Sequence, residues 1–389
     1  MSRFFLTISI LTLCPHFSVQ AQTWVSINNG LTASSIQVLS ADPKSGALYA
    51  GSISNGAFKR PSGGTWAVLS SQFAFETITA LAINPANSEA ILLGTEFGAH
   101  MSSDGGTSWR AVGAGGSVAF VRRFRFSPAD PLRVLAATEG EGIDLSVDGG
   151  LLWSVISDDV LNDFTRDVVF HPVDSQRVLA SAISIDEIPM RESFDGGLKW
   201  RTTGVGITST ITSLAIGQTG PDVVYAGTEA GVFVSEDDAE SFQLRPFLDE
   251  PVEVRAIAVA PTNHLRIFAG TNRGVFSSAD AGQTWSTLND GLPTQDIRDL
   301  ILDPANANHL YIGTGLDGAW SLTLIPEAVV DVDADFDGSG SVDFPDFLTF
   351  VAAFGLPSSE PGIDARADLD ESGSIDFSDF LLFAAVFGN

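Results

Sequence analysis

Two acidic segments near the C-terminus carry the residues with the clearest chemistry. Residues 335–346 read DFDGSGSVDFPD and residues 368–379 read DLDESGSIDFSD. Both segments place oxygen-bearing groups at loop positions 1, 3, 5, 7, 9 and 12, with glycine at position 6, as in loops that enclose Ca²⁺. Crowded carboxylates repel one another, and a hard divalent cation with oxygen ligands removes that cost. The sequence therefore predicts two bound calcium ions.

The ligands of each predicted ion follow from the loop positions. The first set is Asp335, Asp337, Ser339, the Ser341 carbonyl, Asp343 (directly or through water) and Asp346. The second set is Asp368, Asp370, Ser372, the Ser374 carbonyl, Asp376 and Asp379. Gly340 and Gly373 stand at the bend of each loop, as this type of calcium loop requires.

A second group of charged residues recurs along the first three quarters of the chain. Arg122, Arg166, Arg255 and Arg298 lie 44, 89 and 43 residues apart, which is one or two steps of a common period. The corresponding positions of the other units hold Gln37, Thr79 and Thr212. A ring of such arginines would focus positive potential on an anionic or carboxylate-bearing ligand. The alternative is structural, with salt bridges to Asp163, Asp167, Asp296 and Asp299.

The elements that position these arginines belong to a repeat of about 43 residues. One aromatic residue marks each unit, at gaps of 42, 43, 44, 47, 42 and 43 residues: Trp24, Trp66, Trp109, Trp153, Trp200, Phe242 and Trp285. Each unit contains an apolar run, a short strand ending in glycine, a third strand after a glycine, and a turn into the aromatic strand. Four short strands without helical periodicity predict one blade of a β-propeller.

The turn before the aromatic residue has a recurring sequence. It reads SSDGGTSW from Ser102, SVDGGLLW from Ser146, SFDGGLKW from Ser193 and SADAGQTW from Ser278, with a degenerate copy, SEDDAESF, from Ser235. These segments resemble the Asp-box of bacterial neuraminidase (BNR, sialidase-like) repeats. We expect the Asp to accept hydrogen bonds from backbone N–H groups two or three residues further on. The resemblance implies a structural role on the outer rim, away from any active site.

The number of blades follows from the inner strands, which are predicted to begin near residues 36, 78, 121, 165, 211, 254 and 297. The seventh unit lacks its aromatic strand, and TWVSINNGL from Thr23 matches TWSTLNDGL from Thr284. We therefore expect the N-terminal segment to supply the outer strand of the last blade, closing the ring. The predicted fold is all-β: a seven-bladed propeller over residues 22–325, followed by a small α-helical calcium module over residues 326–389.

Residues 1–21 have the features of a secretory signal peptide. Arg3 precedes an apolar run over residues 4–13, and Ala21 stands at the expected cleavage point. The single cysteine, Cys14, lies within this segment, where a lipid anchor is an alternative reading. No stretch is long and apolar enough for a permanent transmembrane span. We expect a protein that is secreted or held at the cell surface.

The C-terminal segment differs sharply in composition from the repeats. Residues 327–389 contain 14 acidic residues and one basic residue, Arg366. Each acidic loop leads into a Phe-rich amphipathic segment, from Phe347 and from Phe380, and we expect two short helices that pack together. A duplicated loop and helix resembles dockerin, an EF-hand type calcium module, and implies docking to a cohesin-like partner. No helix is predicted before either loop, which departs from a complete EF-hand.

Two alternatives to cohesin docking stay open. Loop positions 10 and 11 hold Phe344-Pro345 and Phe377-Ser378, where cohesin-binding dockerins often carry small polar residues. The module could equally be a calcium-stabilised tag for surface retention or secretion. A disordered acidic tail is the third reading, but such tails lack the observed spacing of phenylalanines.

Charge and composition limit the function. The chain of 389 residues has 20 basic and 48 acidic side chains and a formal net charge of −28, which argues against nucleic acid and anionic membrane surfaces as partners. The repeats are similar to those of sialidases and xyloglucanase-type glycoside hydrolases. A sialidase implies a tyrosine nucleophile, but Tyr49, Tyr225 and Tyr311 share one second-strand position typical of the core. The xyloglucanase type implies two propellers, each contributing a catalytic Asp.

The sequence thus favours an exported, non-catalytic binding or scaffold protein. Its ligand would be a glycan, a peptide or a protein bound on the central face of the propeller, and no catalytic residue is assigned. An insertion over residues 183–193 is predicted to lie on the same face. A glycoside hydrolase of xyloglucanase-like or sialidase-like type is the alternative.

Overall fold

Each repeat of the sequence forms one four-stranded antiparallel sheet in a computed structural model of the protein. The structure describes residues 22–113, 120–156, 164–182, 189–217, 222–248, 250–324, 334–339, 342–360, 362–369, 373–376, 379–380 and 383. The predicted signal peptide, residues 1–21, lies outside the described residues. The chain divides into two compact units, Met1–Leu324 and Ile325–Asn389.

The strands of the first unit are numbered along the chain and grouped into blades. The first strand is β1 (Val25–Ser26). Blade 1 contains β2 (Ile36–Ala41), β3 (Leu48–Ser52), β4 (Ala57–Arg60) and β5 (Ala67–Val68), and blade 2 contains β6 (Ile78–Asn84), β7 (Asn87–Thr95), β8 (Gly98–Ser102) and β9 (Arg110–Val112). Blade 3 contains β10 (Val121–Phe126), β11 (Val134–Thr138), β12 (Ile143–Ser146) and β13 (Ser154–Val155).

The remaining blades repeat this order. Blade 4 contains β14 (Val168–Phe170), β15 (Val178–Ser181), β16 (Met190–Ser193) and β17 (Arg201–Thr203). Blade 5 contains β18 (Ile211–Ile216), β19 (Val224–Thr228), β20 (Gly231–Ser235) and β21 (Gln243–Arg245), and blade 6 contains β22 (Val254–Ala260), β23 (Asn263–Thr271), β24 (Gly274–Ser278) and β25 (Ser286–Thr287). Blade 7 contains β26 (Ile297–Asp303), β27 (Asn306–Thr314) and β28 (Ala319–Thr323), with β1 as its fourth strand. A 3-10 helix, Ser71–Phe73, precedes β6.

The N-terminal strand closes the ring. Val25 pairs with Ser321 and Ser26 pairs with Trp320, so β1 is the outer strand of blade 7. Each inner strand contacts the inner strands of the two neighbouring blades, and β26 contacts β2 in the same way. The predictions of an all-β, seven-bladed propeller and of closure by the N-terminal segment are both confirmed.

Apolar clusters between consecutive blades hold the ring together. One cluster joins blades 2 and 3 through Leu92, Phe124 and Trp153, and another joins blades 7 and 1 through Tyr311 and Ile36. The described residues form seven such clusters, one for each boundary in the ring. Burial of one large apolar side chain contributes about 1.5–3 kcal/mol, so each boundary makes a substantial contribution to stability.

The turns with the Ser-x-Asp sequence differ in one detail from the expectation. Asp104 Oδ1 accepts a hydrogen bond from the N–H of Ser108 at 2.9 Å, and Asp148 Oδ1 accepts from Leu151 at 2.9 Å and Leu152 at 3.0 Å. The donors therefore lie three or four residues after the Asp, so the predicted spacing of three is confirmed at Asp148, and the donor four residues on was not predicted. The reason is that two consecutive residues in the left-handed region, such as Gly105 (φ 69°) and its successor, lengthen the turn.

The second unit contains the helix α1 (Phe344–Ala353) and a 3-10 helix, Ala365–Ala367, and the described residues Asp379, Phe380 and Phe383 are also helical. Helix α1 begins three residues before the predicted start at Phe347, because the N–H of Asp343 donates to Asp346 Oδ2 at 2.9 Å and proline is tolerated in the first turn. The second predicted helix, from Phe380, lies mostly outside the described residues. Within the described part of the chain, no helix is long and apolar enough to cross a membrane.

The aromatic residues of this unit form its core. Phe350 is fully buried, and its ring lies 5.1 Å from that of Phe383 in a stacked arrangement. The expected packing between the two Phe-rich segments is therefore confirmed at this contact. The sequence spacing predicts an apolar face of Phe347, Phe350, Val351 and Phe354. This prediction was partly wrong, because Val351 and Phe354 are about half exposed and Ala353 is buried.

Candidate functional site

A cavity of about 260 Å³ lies where the inner strands of the propeller begin. Its wall contains all seven residues that the repeat predicts to share one ring: Gln37, Thr79, Arg122, Arg166, Thr212, Arg255 and Arg298. The wall also contains Arg123 and Glu253, which the sequence analysis did not single out. The four predicted arginines are thus brought together in one place.

β-Bulges direct these side chains towards the cavity. In blade 3, Val121 pairs with Thr138 and Arg123 pairs with Ala137, so that Arg122 is an extra residue in the inner strand. The pairing shifts at the same position in every blade except blade 4. A bulge redirects a side chain and recurs beside functional sites. In blade 4, Arg166 lies just before β14, and its N–H donates to Ser181 Oγ at 3.0 Å.

The cavity and the Ser-x-Asp turns lie at opposite ends of the sheets. Each cavity residue is at the start of an inner strand, and each Ser-x-Asp turn connects the third strand to the fourth. Because successive strands are antiparallel, the turn between the third and fourth strands is at the end opposite the start of the first. The turns between second and third strands share the cavity end.

Each predicted arginine has an acidic neighbour. Arg122 Nε donates to Glu139 Oε1 at 2.7 Å, and Arg166 Nη1 lies 3.2 Å from Glu229 Oε1. Glu139 and Glu229 each directly follow the threonine that ends a second strand, a recurring Thr-Glu pair that the sequence displays. This recurring pair is the signal in the sequence that identifies these partners, and it was not among the predicted site residues.

Arg255 and Arg298 share one carboxylate. Arg255 Nη1 bonds to Asp296 Oδ1 and its Nη2 lies 2.9 Å from Glu253 Oε2, while Arg298 Nη2 donates to Asp296 Oδ2 at 2.9 Å. Burial alone would raise the pKa of Asp296, but hydrogen bonds and positive charge from the two arginines outweigh it and lower the pKa below its ordinary value. This aspartate therefore stays ionised and keeps both guanidinium groups in place.

The structural alternative predicted from the sequence holds in part. Of its four aspartates, Asp296 pairs with arginines of the ring, whereas Asp167 pairs with Arg125 and Asp299 pairs with Arg123. Asp163 lies outside the described residues. The five arginines of the wall face five carboxylates, namely Glu139, Glu229, Glu253, Asp296 and Asp299. The formal charges balance here, although the whole chain carries −28.

Groups for catalysis are sparse around the cavity. Tyr49 and Tyr225 are fully buried and Tyr311 nearly so, and all three lie on second strands. Glu253 is the one carboxylate among the described residues of the wall, and it is paired with Arg255. The predicted insertion over residues 183–193 lies outside the described residues up to 188, and Met190–Ser193 belong to strand β16.

The first acidic loop presents a group of carboxylates that fits a cation. Ligand oxygens of Asp335, Asp337 and Asp346 all lie within 4.8 Å of one another. Asp346 is fully buried, and its Oδ1 accepts the N–H of Phe336 at 2.6 Å. Backbone donors thus fix the carboxylate at position 12, while the carboxylates at positions 1 and 3 converge on it. Ser341, another predicted ligand, lies outside the described residues.

The second loop repeats this arrangement. Asp379 is fully buried and accepts the N–H of Leu369 at 2.6 Å and that of Asp376 at 2.8 Å, the same loop positions that bond Asp346. Asp368 Oδ1, at position 1, is buried with no hydrogen-bond partner in the part of the chain that the structure describes. A cation at this position would satisfy that oxygen. Two further predicted ligands, Asp370 and Ser372, lie outside the described residues.

Comparison with protein-family models found no match, and comparison with curated proteins found none either. Among solved structures, the GH74 enzyme of Niastella koreensis is 17% identical with a TM-score of 0.64, over 79% of this chain and 55% of that chain. YCF48 bound to D1 peptide is 15% identical with a TM-score of 0.60, over 79% of this chain and 96% of that one. The extracellular domain of BT4673 from B. thetaiotaomicron is 13% identical with a TM-score of 0.61, over 78% of this chain and 39% of that one.

These similarities concern the fold. The chain spans about half the length of the GH74 enzyme and less than half of the BT4673 domain, but nearly the whole of YCF48. The shared architecture is a β-propeller found in a glycoside hydrolase, a peptide-bound protein and an extracellular domain. This chain is therefore a seven-bladed β-propeller of the kind shared by GH74 and YCF48 proteins.

Proposed function

We propose that this chain is an exported, non-catalytic binding protein whose propeller binds its ligand in the cavity at the centre of the ring. The observation that carries the proposal is the convergence of seven equivalent residues, four of them arginines, on one cavity wall. A concave site with a few convergent polar groups is the usual form of a ligand site. The ligand is a glycan, a peptide or a protein that presents an anionic group.

The arginines suit a carboxylate because a guanidinium group donates two parallel hydrogen bonds to it. Their present partners do not prevent this. The Arg166–Glu229 pair, for example, is 34% and 50% exposed at its two side chains. Exposed ion pairs contribute little net stability, about 0–1 kcal/mol, so a ligand carboxylate can replace Glu229 at small cost.

A glycoside hydrolase is the second candidate, and the similarity to GH74 enzymes is what favours it. Such an enzyme needs two carboxylates on either side of the scissile bond, about 5–10 Å apart. Glu253 is the one carboxylate among the described lining residues, and it and the four neighbouring carboxylates, Glu139, Glu229, Asp296 and Asp299, are each paired with an arginine. The site is therefore better suited to binding than to hydrolysis.

The C-terminal unit is proposed to be a dockerin-like calcium module. Asp335, Asp337 and Asp346 would hold one ion and Asp368, Asp376 and Asp379 the other, with the remaining loop ligands predicted above. Calcium would neutralise the clustered carboxylates and stabilise the loops. Such a module serves either to dock a cohesin-like partner or to retain the exported protein at the cell surface.

A binding screen and a turnover assay test the proposal together. The purified protein is applied to glycan and peptide arrays with calcium and with a chelator, and the R122A and R298A variants are compared with it. We expect binding of carboxylate-bearing probes that both substitutions weaken, and no release of reducing sugar from β-glucans. Hydrolysis of a glycan, or binding that both substitutions leave unchanged in folded protein, would contradict the proposal.

A further inference from the structure

We infer that the ligand occupies one side of the cavity, and that it is a peptide segment carrying an apolar side chain next to a single carboxylate. The side in question is the arc of blades 7, 1, 2, 3 and 4, formed by Arg298, Gln37, Thr79, Arg122 and Arg166. This inference rests on the proposed binding function and specifies the ligand class and the residues that recognise it.

The arginines of the arc have donors that no protein group uses. An arginine has five N–H donors. Arg122 bonds only through Nε and Nη2, and Arg298 likewise, so that Nη1 of each makes no hydrogen bond among the described residues. Arg166 bonds only through Nη1. The side chains are 39%, 32% and 34% exposed respectively, which leaves these donors available to a ligand.

The two uncharged residues of the arc also lack partners. Gln37 Oε1 and Thr79 Oγ1 are buried in the cavity wall without a hydrogen bond in the described part of the chain. A buried polar atom left unpaired costs about 1–3 kcal/mol. Rotation of either side chain towards a ligand would remove that cost, which favours a ligand with hydrogen-bonding groups beside its carboxylate.

In blades 5 and 6, the equivalent polar side chains are hydrogen-bonded within the protein, unlike those of the arc. Thr212 is the counterpart of Thr79, and its hydroxyl donates to the Gly227 carbonyl at 2.9 Å and to the Val254 carbonyl. Arg255 bonds three acceptors, including the Ile297 carbonyl at 3.1 Å, and is the least exposed of the four ring arginines at 19%. The polar groups of these two blades are engaged in holding the ring together.

Three exposed apolar side chains lie at the same end of the propeller as the arc, outside the cavity wall itself. Phe97 and Leu316 lie in turns between second and third strands and are 82% and 70% exposed, and Phe75, in the connection to β6, is 91% exposed. The blade 7 turn lies next to the start of the inner strand, because the N–H of Gly315 donates to the Asp296 carbonyl at 2.9 Å. The equivalent turns of blades 5 and 6, outside the arc, read EA and NR, and that of blade 3, within the arc, reads EGE. The apolar turn residues of the arc are therefore those of blades 2 and 7.

These features together favour a peptide over an acidic glycan. The free guanidinium donors require a carboxylate, Gln37 Oε1 requires an N–H or O–H donor, and the exposed apolar side chains gain free energy only by covering an apolar group. The rings of Phe75 and Phe97 can stack on a sugar as well as cover an apolar side chain, whereas Leu316 has no aromatic face and can only cover an apolar group. A polyuronate would also be repelled by a chain of net charge −28, whereas a single carboxylate between apolar residues is repelled far less.

The test uses arrayed octapeptides with one Asp or Glu between apolar residues, with two sets of controls. In one the acid is replaced by its amide, and in the other the apolar residues are replaced by serine. Oligogalacturonate serves as the acidic glycan. The best peptide is then measured by fluorescence anisotropy against the purified protein. We expect R122A and R298A to weaken binding about ten- to hundredfold and T79V about fivefold. The F75S/F97S variant should also weaken binding.

The matched controls are R273A and T107V, which should leave the affinity within about twofold because neither side chain lines the cavity. T212V and R255K, in blades 5 and 6, should weaken binding less than the arc variants do, because their groups bond the protein itself. Thermal unfolding of every variant establishes that it is folded. An equal loss of affinity in the controls and in the arc variants would overturn the assignment of the ligand to the arc. Binding of oligogalacturonate but no peptide would overturn the ligand class and leave the proposed function intact. Failure of every acidic probe to bind would contradict both the inferred ligand class and the proposed binding function.

Discussion

Arg123 and Asp299 form an ion pair across the centre of the propeller, between inner strands of blades 3 and 7 that are not neighbours. Arg123 Nη2 lies 3.2 Å from Asp299 Oδ1, and the Asp299 side chain is 2% exposed. Asp299 Oδ2 also accepts the N–H of Leu39, in blade 1, at 2.8 Å. One carboxylate therefore connects three blades. The attraction of Asp299 is the main reason why the pKa of Arg123 is raised, so the guanidinium group stays protonated.

This pair should contribute strongly to stability. Substitution D299A removes the partner of the Arg123 guanidinium group, whose side chain is 20% exposed, and the acceptor of the Leu39 N–H, and we expect a loss of about 3 kcal/mol in the free energy of unfolding. The double variant R123M/D299A should lose less than the sum of the two single variants, since neither charge is then left unpaired. Urea unfolding of the four proteins measures this coupling. R110M, at an exposed arginine, is the control, and additive losses would contradict the assignment.

Gly315 is required by the carboxylate shared between Arg255 and Arg298. A Cβ at this position would lie 1.9 Å from Asp296 Oδ2 and 3.1 Å from Arg298 Nε. We expect G315A to destabilise the protein by about 1–3 kcal/mol, because the carboxylate must move. In a D296A background the same substitution should cost much less. Denaturant unfolding of the parent protein, G315A, D296A and the double variant measures both costs. An equal loss of stability in the two backgrounds would refute this explanation.

Much of the fold follows from the sequence because the repeat makes one local pattern recur. The spacing of the tryptophans and the match between the segments at Thr23 and Thr284 suffice for seven blades and for closure by β1. The second residue of each inner strand is equally regular, so the ring of side chains was predictable. The repeat fixes which residues are equivalent, and equivalent residues converge in a closed ring.

The ion pair between Arg123 and Asp299 could not be predicted from the repeat. The position of Arg123 holds valine, alanine, aspartate or serine in other blades, so no period identifies it, and its partner is 176 residues away. The exposed face of α1 was mispredicted for a similar reason. Phe354 follows the apolar spacing of a longer helix, but α1 ends at Ala353 and the backbone of Phe354 is extended. Local pattern cannot specify a contact that depends on tertiary geometry.

The Ser-x-Asp turns should make the propeller sensitive to acid. Hydrogen bonds from the hydroxyl and N–H of Ser108 lower the pKa of Asp104 to about 2. In the unfolded chain an aspartate has a pKa of about 3.9. A lowered pKa in the folded state means that the stabilisation is complete above pH 4 and is lost as the pH falls towards 2. The corresponding residues of the other turns, Asp148, Asp195, Asp237 and Asp280, also have lowered pKa values.

The measurement is the free energy of unfolding in urea at pH 5 and at pH 2.5 for the protein and for D104N. We expect the protein to lose more stability over this interval than D104N does, because the variant no longer takes up a proton at this turn. E89Q, at a carboxylate outside the turns, is the control and should follow the parent protein. Identical pH dependence for D104N and the parent protein would show that the turn does not contribute.

Calcium removal should affect the two units of the chain differently. Asp346 and Asp379 are fully buried and bonded by backbone N–H groups. If both loops hold calcium, a chelator should lower the melting temperature of the C-terminal unit, since a ligand that binds only the folded state stabilises it. The propeller, whose core is separate, should melt as before.

Native mass spectrometry then counts the ions. We expect two calcium ions in the parent protein, one in D346A and one in D379A, and none in the double variant, because position 12 supplies a bidentate ligand in this type of loop. D290N, at an aspartate of the propeller, is the control and should retain both ions. Two ions in the double variant, or a chelator effect on the propeller transition alone, would contradict the assignment. The two single variants are the most informative. If each loses one calcium ion, two loops of different sequence bind calcium through the same buried carboxylate position.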